Sequence, residues 1–177
     1  MKNLWIVLVF AIFCRPLLAD PKKVVLDCPF PDGTSAALLA SSSKDGQQLF
    51  VMIGDNVDTA FPDMPDTNFV GDIVLARCSG ASLIYALNYG SPYLKGAVVR
   101  KNPKTKTLER IDFAEKALPS LLYLNAQQMR LVIPNEGYED PSKFLVYDYV
   151  AIKGQPEEPK GVNTLPGRKG FEVFDLK

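Results

Sequence analysis

Short runs of alternating apolar and polar residues fill this chain, broken at close intervals by proline and glycine, and sustained helical spacing is scarce. Runs rich in Val, Ile, Leu, Tyr and Phe at 23–28, 36–42, 48–54, 68–78, 83–90, 96–102, 107–113, 121–125, 129–134, 143–153 and 171–176 read as strands. In 146–151, Val146, Asp148 and Val150 face one side of a strand and Tyr147, Tyr149 and Ala151 the other. DFAEKAL (112–118) is the one candidate helix, with Asp112 and Glu115 spaced as a capping box and Pro119 as its stop.

The runs group into hairpins. ALLASSSKDGQQLFVMIG and LLYLNAQQMRLVIPNEG share a strand, polar turn, strand pattern, and GAVVRKNPKTKTLERIDF turns at NPKTK. Such hairpins resemble propeller blades, but a closed propeller needs at least four blades of about 40–45 residues, which a chain of this length with long loops scarcely provides. The expected fold is therefore all-β: an antiparallel meander forming a β-sandwich or flattened barrel, with at most one short helix. Residues 154–170, rich in proline and glycine, should form a surface connection, and FEVFDL a last edge strand.

The N-terminus changes the picture of where this domain works. Lys2 precedes an apolar run at 4–14, followed by Pro16 and Ala19, which is the layout of a signal peptide cleaved after residue 19. The run is too short for a membrane span, which needs about 20 residues. The expected product is a single β domain, 20–177, that is periplasmic or secreted. Cys14 lacks the small preceding residue that a lipidation signal requires. Loss of Lys2 and Arg15 leaves 18 basic residues against 20 acidic ones, so overall charge does not favour nucleic acid. Two cysteines remain, Cys28 and Cys78, and an even pair in an exported chain reads as a disulfide. The chain has no histidine, which removes Ser-His and Cys-His hydrolases and His-containing zinc sites. No cofactor is implied.

Residues 54–72, GDNVDTAFPDMPDTNFVGD, hold five aspartates and no basic residue. A regular calcium loop needs oxygen ligands at alternate positions, but Val57 and Thr59 follow Asp55 there; only an irregular site, from Asp55, Asp58, Asp63 and Asp66, stays open. No spacing here sets two acids across a groove as glycoside hydrolysis requires. Phe61, Met64 and Phe69 stand among the acids, and Pro62 and Pro65 stiffen the backbone. Apolar anchors in a charged rim fit a recognition loop for a basic partner, and a plain solvated crossing is the alternative.

The second candidate region runs from 78 to 110. Tyr85, Tyr89 and Tyr93 precede Lys95, Arg100, Lys101, Lys104, Lys106 and Arg110, with Glu109 the single acid among these cations. A basic hairpin beside tyrosines suits nucleic acid or an anionic glycan, but a solvated hairpin whose lysines guard an edge strand is the preferred reading. Within this region SGAS and YLKGAVV resemble two short signatures of bacterial periplasmic inhibitors of C-type lysozyme. That resemblance covers about 20 residues and implies a small β-barrel in which Ser79 and Lys95 enter the lysozyme cleft. The tyrosine of the first signature is displaced to Tyr85, and Tyr93 stands in the region where the family has a tryptophan. Two other fragments carry nothing: Ser41 to Lys44 fits S-x-x-K without the companion motifs, and GVNTLPGRK has the wrong glycine spacing for a phosphate loop.

Together these features point to a non-enzymatic exported protein that binds another protein, most specifically an inhibitor or immunity protein blocking a cell-wall-degrading enzyme with a basic surface. The expected contacts are Asp58, Phe61, Asp63, Met64 and Asp66, with Ser79, Tyr93 and Lys95 as a second patch. The alternatives are a carbohydrate-binding or envelope scaffold module and a carboxylate-dependent glycan hydrolase.

Overall fold

The alternating runs form strands because each can bury one set of side chains against a neighbouring sheet. The computed structural model describes residues 21–43, 46–65, 69–90, 93–137 and 141–177, and these are all-β with no helix. The signal-peptide expectation concerns residues 1–19, outside the described set. Among the described residues no helix is long and apolar enough to cross a membrane.

Three antiparallel sheets follow one another along the chain. The first contains β1 (Lys23–Pro29), β2 (Ser35–Ser43), β3 (Gly46–Ile53) and β4 (Asn56–Thr59), in that spatial order. The central sheet contains β5 (Ile73–Cys78), β6 (Ser82–Gly90), β7 (Tyr93–Lys101) and β8 (Leu108–Glu115), again in sequence order. The third is built on β9 (Leu121–Leu124), β10 (Gln128–Pro134) and β11 (Phe144–Val150). Two short strands, β12 (Gln155–Pro156) and β13 (Lys160–Val162), pair with β11, and β14 (Glu172–Asp175) pairs with β9 at the far edge. The meander and the closing edge strand are as the sequence pattern predicts, and the sheets do not close into a barrel.

The central sheet is buried on both faces. Leu83, Tyr85, Leu87, Ala97 and Val99 pack with Leu38, Leu49 and Val51 of the first sheet. Their neighbours Ile84, Ala86, Val98, Ile111 and Phe113 pack with Leu122, Met129, Leu131 and Ile133 of the third. Period-two alternation thus makes a three-layer stack. Gly96 belongs to this packing: a Cβ there would lie 2.4 Å from the Phe113 ring and 2.3 Å from the Tyr85 carbonyl oxygen, so only glycine lets that ring cross β7. At one end of the central sheet Arg100 and Glu109 are opposed in register and almost wholly buried. Arg100 Nε donates to Glu109 Oε2 at 2.6 Å, and Asn102 Nδ2 donates to Glu109 Oε1 at 2.6 Å and to the Ala126 carbonyl at 3.0 Å.

Three expectations are corrected. Residues 112–118 form no helix: Asp112 and Phe113 continue β8 opposite Ala97 and Gly96, since burying Ile111 and Phe113 on one face outweighs a marginal cap. Asp112 is held instead by Arg110, whose Nε lies 2.9 Å from both carboxylate oxygens. The run at 68–78 becomes strand only from Ile73, with Phe69 making an isolated bridge to Gln47. Conversely, the acidic stretch contains an unforeseen strand, β4.

Candidate functional site

The first and central sheets form a sandwich with two seams. At one, the edge strands β1 and β5 are joined by the Cys28–Cys78 disulfide, Cα–Cα 5.5 Å, the pairing expected from the cysteine count. At the other, the edge strands β4 and β8 stand apart, and a cleft of about 520 Å³ opens between them. Its walls are Val51, Ile53, Val57, Asp58 and Thr59 on one side and Val99, Leu108 and Arg110 on the other, with Pro62 at the end. Val57 and Leu108 are 43% and 48% exposed, one on each of the two edge strands. Beyond Pro62 lies a second cleft of similar size, lined by Asp63, Lys95, Asp112, Phe113, Ala114, Tyr147 and Pro159.

The loop after β4 separates the clefts because its apolar residues turn inward. Phe61 is 2% exposed, edge-on to Phe69 at 5.1 Å between ring centroids and tilted against Tyr85 at 5.8 Å. Met64 packs against the same cluster, and its amide donates to the Phe61 carbonyl at 2.9 Å. The Ala60 carbonyl accepts from the Tyr85 hydroxyl and from Arg110 Nη2, each at 2.6 Å. The sequence pattern had offered Phe61 and Met64 as outward anchors; the structure places them inward, where burying an aromatic ring contributes about 2–3 kcal/mol. What the loop shows to solvent is its acid.

Asp63 and Lys95 meet at 2.5 Å, joining the two candidate regions across 32 residues, and the Lys95 ammonium also lies 5.5 Å from the Phe61 ring. The hydrogen bond from Lys95 holds the Asp63 carboxyl below its usual range, against the opposing effect of partial burial. Burial is the largest influence and works against the Arg110 charge, but hydrogen bonding and charge interaction with Asp112 and Tyr85 together outweigh it and raise the Arg110 pKa. Burial pushes the Tyr147 hydroxyl well up, reinforced by its hydrogen bond to Glu115 at the rim of the second cleft. Asp58 makes no ion pair among the described residues, so it is the uncompensated charge of this seam.

The other predicted residues scatter. Tyr93, 40% exposed, lies two positions from Lys95 on the same face of β7, with the Lys116 ammonium 5.8 Å from its ring. Ser79 is buried in the three-residue connection between β5 and β6 and exchanges backbone hydrogen bonds with Ser82 at 3.0 Å. Ser82 faces Arg100 across the sheet and Leu87 faces Lys95, so Ser79 and Lys95 sit at opposite ends of β7, separated by about 17 Å or more. Asp66 lies outside the described residues. Among the described residues no group of three or more Asp, Glu, Cys or His side chains converges as a metal cage.

Pairing also dissolves most of the basic run. Lys95, Arg100, Lys101 and Arg110 are matched with Asp63, Glu109, Asp32 and Asp112, leaving Lys104 and Lys106 without an ion pair among the described residues. Sequence reasoning missed Val57 and Leu108 as cleft walls. Leu108 looks like an ordinary strand residue and Val57 lies in a stretch that reads as a loop, and no local signal tells that the strands bearing them end two sheets at the same open seam.

The fold and cleft define an all-β, three-sheet protein stapled along one seam and open along the other. No family model matches the chain, and neither a curated protein nor a solved structure is significantly similar to it.

Proposed function

We propose that this is a non-enzymatic exported protein that binds another protein through the open seam between β4 and β8. The observation that carries the reading is the cleft itself, where Val51, Ile53 and Val57 of the first sheet and Val99 and Leu108 of the central sheet line a space beside Asp58, which has no ion pair among the described residues. Apolar walls supply contact area and one uncompensated carboxylate supplies orientation, the composition of a recognition site. The partner presents a basic group to it. The specific form we favour is an inhibitor or immunity protein of a periplasmic cell-wall-degrading enzyme, acting by steric cover, with the loop holding Asp63 as a fixed rib beside the cleft.

The tyrosine platform of a glycan-binding module is less well supported, because Tyr85 is fully buried with its hydroxyl engaged. Among the described residues the glycan hydrolase reading finds Asp63 and Asp112 each held by a cation, which disfavours them as a catalytic pair. The test is capture of a partner by the immobilised mature protein from envelope extracts, repeated with a Val57→Ser/Leu108→Ser variant. We expect one stoichiometric protein, lost with the variant. Retention of glycan alone, or turnover of a polysaccharide by the isolated domain, would refute the proposal.

A further inference from the structure

We infer that the partner contributes an extended segment that adds to the first sheet as a fifth strand alongside β4, with a lysine or arginine directly opposite Asp58. This rests on the reading of the open seam as the binding site and names its mode and chemistry. β4 ends its sheet, with β3 on one side and no strand on the other among the described residues. An edge strand carries a row of backbone donors and acceptors available to an incoming strand. Asn56, Val57 and Asp58 are exposed, so nothing described covers that edge.

The register fixes where side chains of the added strand would go. Asp58 is opposite Val51, a core residue, and therefore points to the same side of the sheet, into the cleft. Residues directly opposite one another in paired strands project to the same side, so the residue facing Asp58 enters the cleft too. There it would meet the Asp58 carboxylate with its head and Leu108 and Pro62 with its aliphatic stem, the way long cationic side chains divide between apolar and polar surroundings.

The charges around the seam favour a cation. Asp58, Asp63 and Asp112 are three carboxylates against Lys95 and Arg110, and the two cations are already paired with Asp63 and Asp112. One negative charge is left, on Asp58. A charged residue on an edge strand normally discourages pairing; here it rejects neutral or acidic strands and admits one that brings the opposite charge.

The probe is a random peptide library displayed against the oxidised, folded protein, followed by synthesis of the enriched peptides. We expect enriched sequences that alternate apolar residues around one Lys or Arg, and at least a tenfold loss of affinity on Asp58→Asn, an exposed position where the change leaves folding intact. Methylating peptide backbone nitrogens one at a time should abolish binding at every second position and spare those between. Peptides without a basic residue, or binding indifferent to Asp58→Asn, would overturn the inference. Asp58-dependent binding without the every-second-residue pattern would overturn strand addition yet leave the cleft as a binding site. If no peptide binds and partner capture also ignores the Val57→Ser/Leu108→Ser change, the seam reading itself fails.

Discussion

The two seams of the sandwich between the first and central sheets differ in how they are held. Where β1 meets β5, a covalent bond joins the edges. Where β4 nears β8, the contact is made by a loop whose Phe61 is driven into the core and whose Asp63 reaches Lys95. One seam is sealed by chemistry acting mainly on the unfolded chain, the other is propped by packing and left partly open. The staple thus lies on the seam away from the cleft proposed as the binding site.

This contrast can be broken from the propped side first. Phe61→Ala should cost up to about 5 kcal/mol in denaturant unfolding, as expected for a truncated core aromatic that leaves a cavity; if the change is near neutral, Phe61 is not the prop. Replacing both cysteines, as Cys28→Ser/Cys78→Ser, should lower stability by about 4 kcal/mol, the loop-entropy value for the 50-residue separation. That loss should appear in reduced wild-type protein as well, whereas a stability difference persisting between the two would point to a role for the serines themselves.

Smaller changes sharpen the comparison. Lys95→Met should cost at most about 1 kcal/mol, because the Asp63 side chain is 64% exposed and solvent screens the pair. Its pH signature has a definite sign. Asp63 has a folded pKa below its unfolded value, so its contribution is present above about pH 4 and fades as the solution is acidified below that. Lys95→Met should flatten the acid limb of the stability curve, and an unchanged limb would remove the pair from the account. Last, Leu108→Ser should shift stability by no more than about 0.5 kcal/mol, being half exposed, while partner capture falls. A stability loss of several kcal/mol there would mean that the cleft is closed in solution.

Much of the architecture was legible because it is local. Strand alternation such as that at Tyr147 and Tyr149, the consecutive hairpins and the terminal edge strand depend on neighbouring residues, and the disulfide is the Cys28–Cys78 pair that the cysteine count of the expected mature chain points to. The site was legible only in part. Asp58 and Lys95 stand out as charges, but the meeting of Asp63 with Lys95 spans 32 residues and depends on how two sheets stack. Phe61 sits between alanine and proline in an aspartate-rich stretch, the composition of a surface loop, and only the hole beside Phe69 and Tyr85 decides that it faces inward. The misread helix at 112–118 has the same origin: a capping pattern is local, and the sheet that overrode it is not.

The buried Arg100–Glu109 pair has a consequence for errors of assembly. The β7–β8 hairpin could slide by one residue and keep its ladder of backbone bonds, but every side chain on the slipped strand would then change face. Arg100 and Glu109 would no longer be opposed, and one of them would be left charged and alone between two apolar layers, a state costing about 3–5 kcal/mol. Polarity in the core thus acts against misassembly: a mispaired hairpin is penalised when the outer sheets close over it.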